Sequence, residues 1–181
     1  MPKEEIAIDL LEEGLGRGEE VVLSTTGESM MPLLRPGEAF RIKRIPWHQI
    51  KVGDIVCFEN AKEVVVHRVV KQYWQNGQRF FITKGDRVFY LDKPISDGKI
   101  LARVVQIGNL RLDYPFQERL AQVVARFFYW HYWSYHAFWQ IPGIEFLGRL
   151  KQHFISRRSV FTPLYMRLLS PLYQFLSSLG K

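Results

Sequence analysis

Cysteine is nearly absent. Cys57 is the only one in 181 residues, which excludes a disulfide scaffold and any zinc site built on several cysteines. A lone cysteine fits a reducing compartment. A cationic and then apolar opening segment is also missing: the chain begins MPKEEIAIDLLEEGLGRGEE, with carboxylates where an export signal would carry Lys or Arg. There is no ordinary aliphatic run of membrane-spanning length, no internal repeat and no low-complexity tract. Disorder along the whole chain is excluded by 47% hydrophobic residues, because disordered chains are too poor in apolar side chains to fill a core. The length suits one domain, or one domain with an extension.

What is present is unevenly placed. Residues 1–110 hold 16 Lys+Arg and 15 Asp+Glu, whereas residues 111–181 hold 9 and 3. The later part also carries 17 of the 26 aromatic residues. A nearly neutral first part is therefore followed by a basic, aromatic one. Basic surface of this kind suits nucleic acid or an anionic membrane face.

The opening residues 1–19 read as a short amphipathic helix through Ile6, Leu10, Leu11 and Leu15, ended by Gly14, Gly16 and Gly18. Residues 20–110 read as β structure. EVVLST, AFRIKRI, DIVCFEN, EVVVHRVVKQYW, QRFFIT and KILARVVQI are short and rich in β-branched and aromatic residues. RPGE, KVGD, QNGQ, KGD and SDGK separate them with turn chemistry. Asn76-Gly77 is a strong hairpin signal. Strands at this spacing predict a mainly β fold, a coiled, barrel-like domain. Residues 111–181 read as a helical extension. FQERLAQVVARFFYWHYWSYHAFWQI has no turn residues and is predicted helical, stopped by Pro142-Gly143. GIEFLGRLKQHFI and TPLYMRLLSPLYQFLSSLGK follow as further helices, the last interrupted by Pro171.

Three segments hold residues with reactive side chains: residues 25–38 (TTGESMMPLLRPGE), 64–70 (VVVHRVV) and 83–92 (TKGDRVFYLD). Ser29 follows a strand in a glycine-containing turn, where a hydroxyl can be presented at an edge. Serine becomes a useful nucleophile only when a neighbouring base takes its proton. Imidazole is suited to that task near neutral pH, so His67 is the candidate base. Asp86 and Asp92 are candidate orienting carboxylates, which would hold the imidazole tautomer and stabilise the imidazolium. Taken one at a time these residues have ordinary readings. A turn serine, a strand histidine and an aspartate after glycine are most often just that.

Their order is more telling. S-M-x-P-x-L-x-P-G, then V-G-D-I-V-x-F, then V-H-R-V, then K-G-D-x5-D resembles signal peptidase I and its relatives, the serine peptidase superfamily that includes the self-cleaving SOS repressors. The resemblance covers residues 20–107 and is nearest the endoplasmic-reticulum type, which uses Ser, His and Asp. It implies Ser29 as nucleophile, His67 as general base and Asp92 as the residue orienting His67. Asp86 matches the K-G-D aspartate, with a supporting role. The Ser29 N–H would contribute to the oxyanion hole, and Thr26 stands where many relatives have a serine that adds a hydroxyl. The sequence departs at Glu38, where the family has Asp after Pro-Gly, and at Arg87-Val88, where a double asparagine is common. Only 28 residues stand before Ser29, a mainly polar stretch where relatives usually have a membrane anchor. Lys62, Lys71 and Lys84 do not occupy the family's lysine position.

The resemblance implies an endopeptidase that cuts after small residues in a leader or signal-like peptide and needs no cofactor. Residues 127–144 contain no charged residue and are rich in Trp, Tyr and Phe, rings that favour the headgroup boundary. With Arg149, Lys151, Arg157 and Arg158 beyond, they predict peripheral contact with an anionic membrane, on the cytoplasmic side. A helical cap packed on the β domain, in a soluble cytoplasmic protein, is the alternative. No nucleic-acid motif is present, and no nucleic-acid partner is expected. No metal is expected either, since His131 and His136 are five apart and off a common helix face, with His153 further on. The rival functions are a self-cleaving switch and a non-catalytic binding module. The switch is not expected, since the self-cleaving relatives carry an upstream DNA-binding domain and a bond such as Ala-Gly, and the 28 residues before Ser29 hold no Ala-Gly pair and too little length for that domain. The module would be expected to have lost one of Ser29, His67 and Asp92.

Overall fold

The computed structural model describes residues 13–61, 63–112 and 115–139, together with Leu11. Among the described residues there are eight strands: β1 (Glu20–Ser24), β2 (Ala39–Lys43), β3 (Ile55–Asn60), β4 (Glu63–Gln75), β5 (Gln78–Lys84), β6 (Ile95–Ser96), β7 (Ile100–Ile107) and β8 (Leu110–Arg111). A helix, α1 (Pro115–Trp139), follows. All six predicted strands form. The two-residue strands β6 and β8 have no pattern of their own and exist only by pairing with β5 and β7.

Every ladder is antiparallel, and the path across the sheet is β1-β2-β7-β3-β4-β5-β6, with β8 beside β7. β1 and β6 end the path and do not pair, so the sheet is open. Side-chain alternation explains where the core sits. On β2, Phe40 and Ile42 point in while Ala39, Arg41 and Lys43 point out. On β3 both faces are covered. Ile55 and Cys57 join one apolar cluster, with Met30, Leu34 and Ile42; Val56 and Phe58 join another, with Ile50, Val69 and Phe81. That is why IVCF is an unbroken apolar run. The β4–β5 hairpin turns at Asn76 (φ 52) and Gly77 (φ 74), the paired positive φ values that a tight hairpin turn needs.

Leu11 and Leu15 are buried in the first cluster, and residues 13–16 are helical. The expected apolar positions Ile6 and Leu10 lie outside the described residues, as do the Pro142-Gly143 stop, both later helices and Lys62. The predicted long helix is present as α1. It opens on Pro115, a residue suited to the first helical turn because no N–H partner is available there. Val124, Ala125 and Phe128 pack on Val70 of β4, with Val52, Ile82 and Leu91 around them. Lys51 to Glu118 (3.0 Å) and Lys71 to the Tyr129 hydroxyl (3.0 Å) pin its edges. Among the described residues no helix is long and apolar enough to cross a membrane.

Candidate active site

Ser29 sits in the connection from β1 to β2. That connection is anchored from below: Met30, Leu33 and Leu34 are buried in the main apolar cluster. Its neck is closed by Gly37 N–H to Thr25 O (2.7 Å), and its turns by Met31 N–H to Glu28 O (3.2 Å) and Leu34 N–H to Met30 O (3.1 Å). The apolar residues of S-M-x-P-x-L therefore fix the polar one. His67 lies within β4, paired with Val56 of β3, its ring edge against Phe58 at 6.2 Å. Asp92 lies in the connection from β5 to β6, and its N–H donates to Thr83 O (2.9 Å).

These three side chains meet. His67 Nε2 is 3.1 Å from Ser29 Oγ, and His67 Nδ1 is 2.6 Å from Asp92 Oδ2. Thr83 Oγ1 donates to the same Asp92 oxygen at 2.7 Å. A carboxylate only accepts, so the Nδ1 bond puts the imidazole proton on Nδ1 and leaves Nε2 as acceptor for the Ser29 hydroxyl. The histidine is buried and the serine half-buried. A hydroxyl at a half-open surface thus meets a base held in one tautomer. This arrangement can move the serine proton to Nε2 and back.

Asp86 stands elsewhere. Its carboxylate takes two bonds from Arg68, Nε at 2.8 Å and Nη2 at 2.6 Å, while Arg68 Nη1 donates to Gly53 O at 3.0 Å. Both side chains are buried. This fork-to-fork pair holds the K-G-D turn to β4, one residue from His67. Thr26 is exposed, and among the described residues it makes no hydrogen bond to Ser29, His67 or Asp92. The Ser29 N–H has no acceptor among the described residues.

Other residues of the site were not singled out by the sequence. A Cβ on Gly85 would lie 2.8 Å from Ser29 O and 3.0 Å from His67 Nε2, so the serine and histidine close over a backbone that has no room for a side chain. Arg87 donates its N–H to Ser29 O (2.7 Å), and its guanidinium bonds Glu28 and reaches Met31 Sδ at 3.2 Å. Arg87 therefore ties the turn that holds Ser29 to the connection that holds Asp92. Thr83, Gly85 and Arg68 all lie inside the quoted motifs. Their signal was present, but only their contacts give them roles.

Of the lysines, Lys71 bonds Tyr129. Lys84 is buried, donates to Gly85 O (3.0 Å) and lies over the Phe128 ring at 4.2 Å. Burial lowers the Lys84 ammonium to about 8, against a partial restoring effect from Asp86. Cys57 is fully buried and its thiol is pushed up to about 12, which makes it inert. Among the described residues no group of three His, Cys, Asp or Glu side chains is placed to hold a metal. A cavity of about 40 Å³ lies beneath the start of α1, lined in part by Asp54, Arg68 and Arg103; Ser29, His67 and Asp92 do not border it. Burial raises the Asp54 carboxyl above its usual range there, opposed by the Lys51 N–H and Arg103. No protein-family model matches this sequence, and no curated protein matches it.

Proposed function

We propose that the chain is a serine endopeptidase of the signal-peptidase type, with Ser29 as nucleophile, His67 as general base and Asp92 orienting His67. One observation carries the reading: an unbroken chain of bonds from Ser29 Oγ to His67 Nε2 (3.1 Å) and from His67 Nδ1 to Asp92 (2.6 Å). Three motifs separated by up to 63 residues of sequence supply it, in the order the resemblance requires. In this reading the sheet is the coiled, barrel-like scaffold of that superfamily.

The chemistry is acyl transfer. Ser29 Oγ attacks the peptide carbonyl carbon as His67 Nε2 takes its proton. The negative charge that develops on the carbonyl oxygen is met by the Ser29 N–H, with the Thr26 hydroxyl as a second donor once substrate is bound. His67 then gives the proton to the leaving amine nitrogen, and the C–N bond breaks. Water attacks the acyl-serine, its proton passing to His67 and then to Ser29 Oγ as the acid leaves. Asp92 keeps Nδ1 protonated throughout and stabilises the imidazolium. No cofactor enters. β1 is an end strand of the sheet and runs into the Ser29 turn, so an extended peptide can add there as a strand. The substrate is a leader or signal-like peptide with small residues at the cut. The enzyme works peripherally at the cytoplasmic face of a membrane, with a freely soluble cytoplasmic enzyme as the alternative.

The test is cleavage of a peptide library with small residues around the cut, in detergent or with liposomes, alongside labelling by a fluorophosphonate. Ser29→Ala and His67→Ala should each lower kcat/KM by roughly 10⁴-fold or more. Ser29→Ala should also abolish labelling. A wild-type chain that neither cleaves nor labels, with lipid present, would overturn the reading in favour of a binding module.

A further inference from the structure

α1 has two unlike faces. Val124, Ala125 and Phe128 are buried against the sheet. On the opposite side Arg119, Val123, Arg126, Phe127, Trp130 and Trp133 are exposed, recurring every three or four residues, and so form one stripe. Val123 is 63% exposed, Phe127 47%, Trp130 65% and Trp133 54%. Side chains of this size are rarely left in water together unless something covers them. The charge on the stripe has one sign. The only acidic residue of α1 is Glu118, and it pairs with Lys51. Beyond α1, residues 140–181 add six Lys and Arg against Glu145 alone.

The stripe also adjoins the active site. Phe127 stacks on His131 at 6.0 Å, and Phe89 meets the same ring edge-on at 5.4 Å. Phe89 belongs to the connection between Asp86 and Asp92, whose next residue, Tyr90, is 62% exposed. The apolar surface therefore continues from helix to catalytic loop.

We propose that the outer face of α1, Val123, Phe127, Trp130 and Trp133 with Arg119 and Arg126, lies in the headgroup layer of an anionic bilayer and seats the Asp92 loop at that surface. The composition selects this occupant. Trp and Phe beside Arg, without carboxylates, suit the boundary where rings meet headgroups and guanidinium meets phosphate. A protein partner would have to match both the ring stripe and the cationic segment with an acidic patch of fitted shape, whereas an anionic lipid surface gains from every charge without a fitted shape. Lipid binding stands on these observations alone. Its consequence for catalysis, that membrane-held peptides are cut in preference to free ones, rests on the peptidase reading.

The experiment uses the full chain with Ser29→Ala, so that binding is measured without turnover. Sedimentation is run with vesicles of phosphatidylcholine, and with the same vesicles containing roughly a third phosphatidylglycerol, at about 0.15 M salt. Binding should need the anionic lipid. The pair Trp130→Ser and Trp133→Ser should weaken it by about tenfold or more, and the pair Arg119→Glu and Arg126→Glu comparably. Circular dichroism shows that the variants fold, and fluorophosphonate labelling with Ser29 restored shows that the site is intact. Vesicle binding that is unchanged in folded variants overturns the proposal and assigns binding to residues 140–181. No vesicle binding, with self-association that the tryptophan variants abolish, overturns it in favour of a second copy. Vesicle binding by a chain that never cleaves or labels leaves this inference standing and removes the peptidase. Cleavage without vesicle binding does the reverse.

Discussion

Two aspartates six residues apart in sequence are given opposite work by their neighbours. Asp92 is partly open to solvent and bonds His67 and Thr83. Asp86 is fully buried and neutralises Arg68, whose guanidinium is buried with it. Removing one member of such a pair leaves a charge without a partner in the interior, at a cost of about 3–5 kcal/mol. Asp86→Ala should therefore lower unfolding stability in urea by about that much. Asp92→Ala should change stability little and lower kcat by several orders of magnitude, about 10⁴-fold. The reverse pattern, Asp92→Ala unfolding the chain and Asp86→Ala silencing a stable one, would exchange the two roles. Gly85 is a third residue decided by its surroundings, because Ser29 O and His67 Nε2 occupy the space a Cβ would take.

Among the elements, α1 passes close against Gly53, in the turn before β3. This residue has φ +104, and a Cβ there would lie 2.7 Å from the backbone of Ala121 and Gln122. Neither contact can be relieved by a side-chain rotation, so the helix itself must move. Gly53 also ties this contact to the site, since its N–H donates to Val69 O and its carbonyl accepts from Arg68. Gly53→Ala should destabilise the protein by about 1–3 kcal/mol through overpacking, with backbone strain added. Amide exchange should accelerate first in residues 118–131, where α1 packs. A variant with unchanged stability and unchanged exchange would show that this contact does not hold the helix down.

For the molecule as a whole, the packing of α1 on the sheet depends on pH through two groups, buried Lys84 and half-buried His131. Lys84 ends β5 beneath Phe128, and burial lowers its ammonium from 10.5 to about 8. Between those values the unfolded chain binds more protons than the folded one, so this group's contribution to stability rises as pH rises from about 8 to 10.5. Lys84→Met should remove that slope, read as the difference between the two proteins' stability–pH curves from chemical denaturation. Parallel curves would mean that Lys84 is not buried as a cation. His131 acts at the acid end. Burial and then Lys84 hold its imidazole below the usual value, so stability from this residue is present above pH 6.5 and is lost as pH falls and the ring is protonated.

The sequence by itself determined what depends on neighbours along the chain. Short runs of β-branched and aromatic residues between turns marked β1, β2, β3, β4, β5 and β7, because such side chains fit a pleated backbone and turn residues interrupt it locally. Asn76-Gly77 marked its hairpin, because few residues take positive φ. The uninterrupted run before Pro142 marked α1. Ser29, His67 and both aspartates were visible as reactive groups in ordered motifs. Only tertiary structure decided which of them meet. Strand register, with a bulge between Val69 and Lys71, sets where Arg68 and His67 point, and so gives Asp86 to one and Asp92 to the other. β6 and β8 are too short to carry a pattern and form where a longer strand offers free backbone groups. Which face of α1 is covered was equally hidden, because its aromatics lie on both sides and only the sheet selects between them.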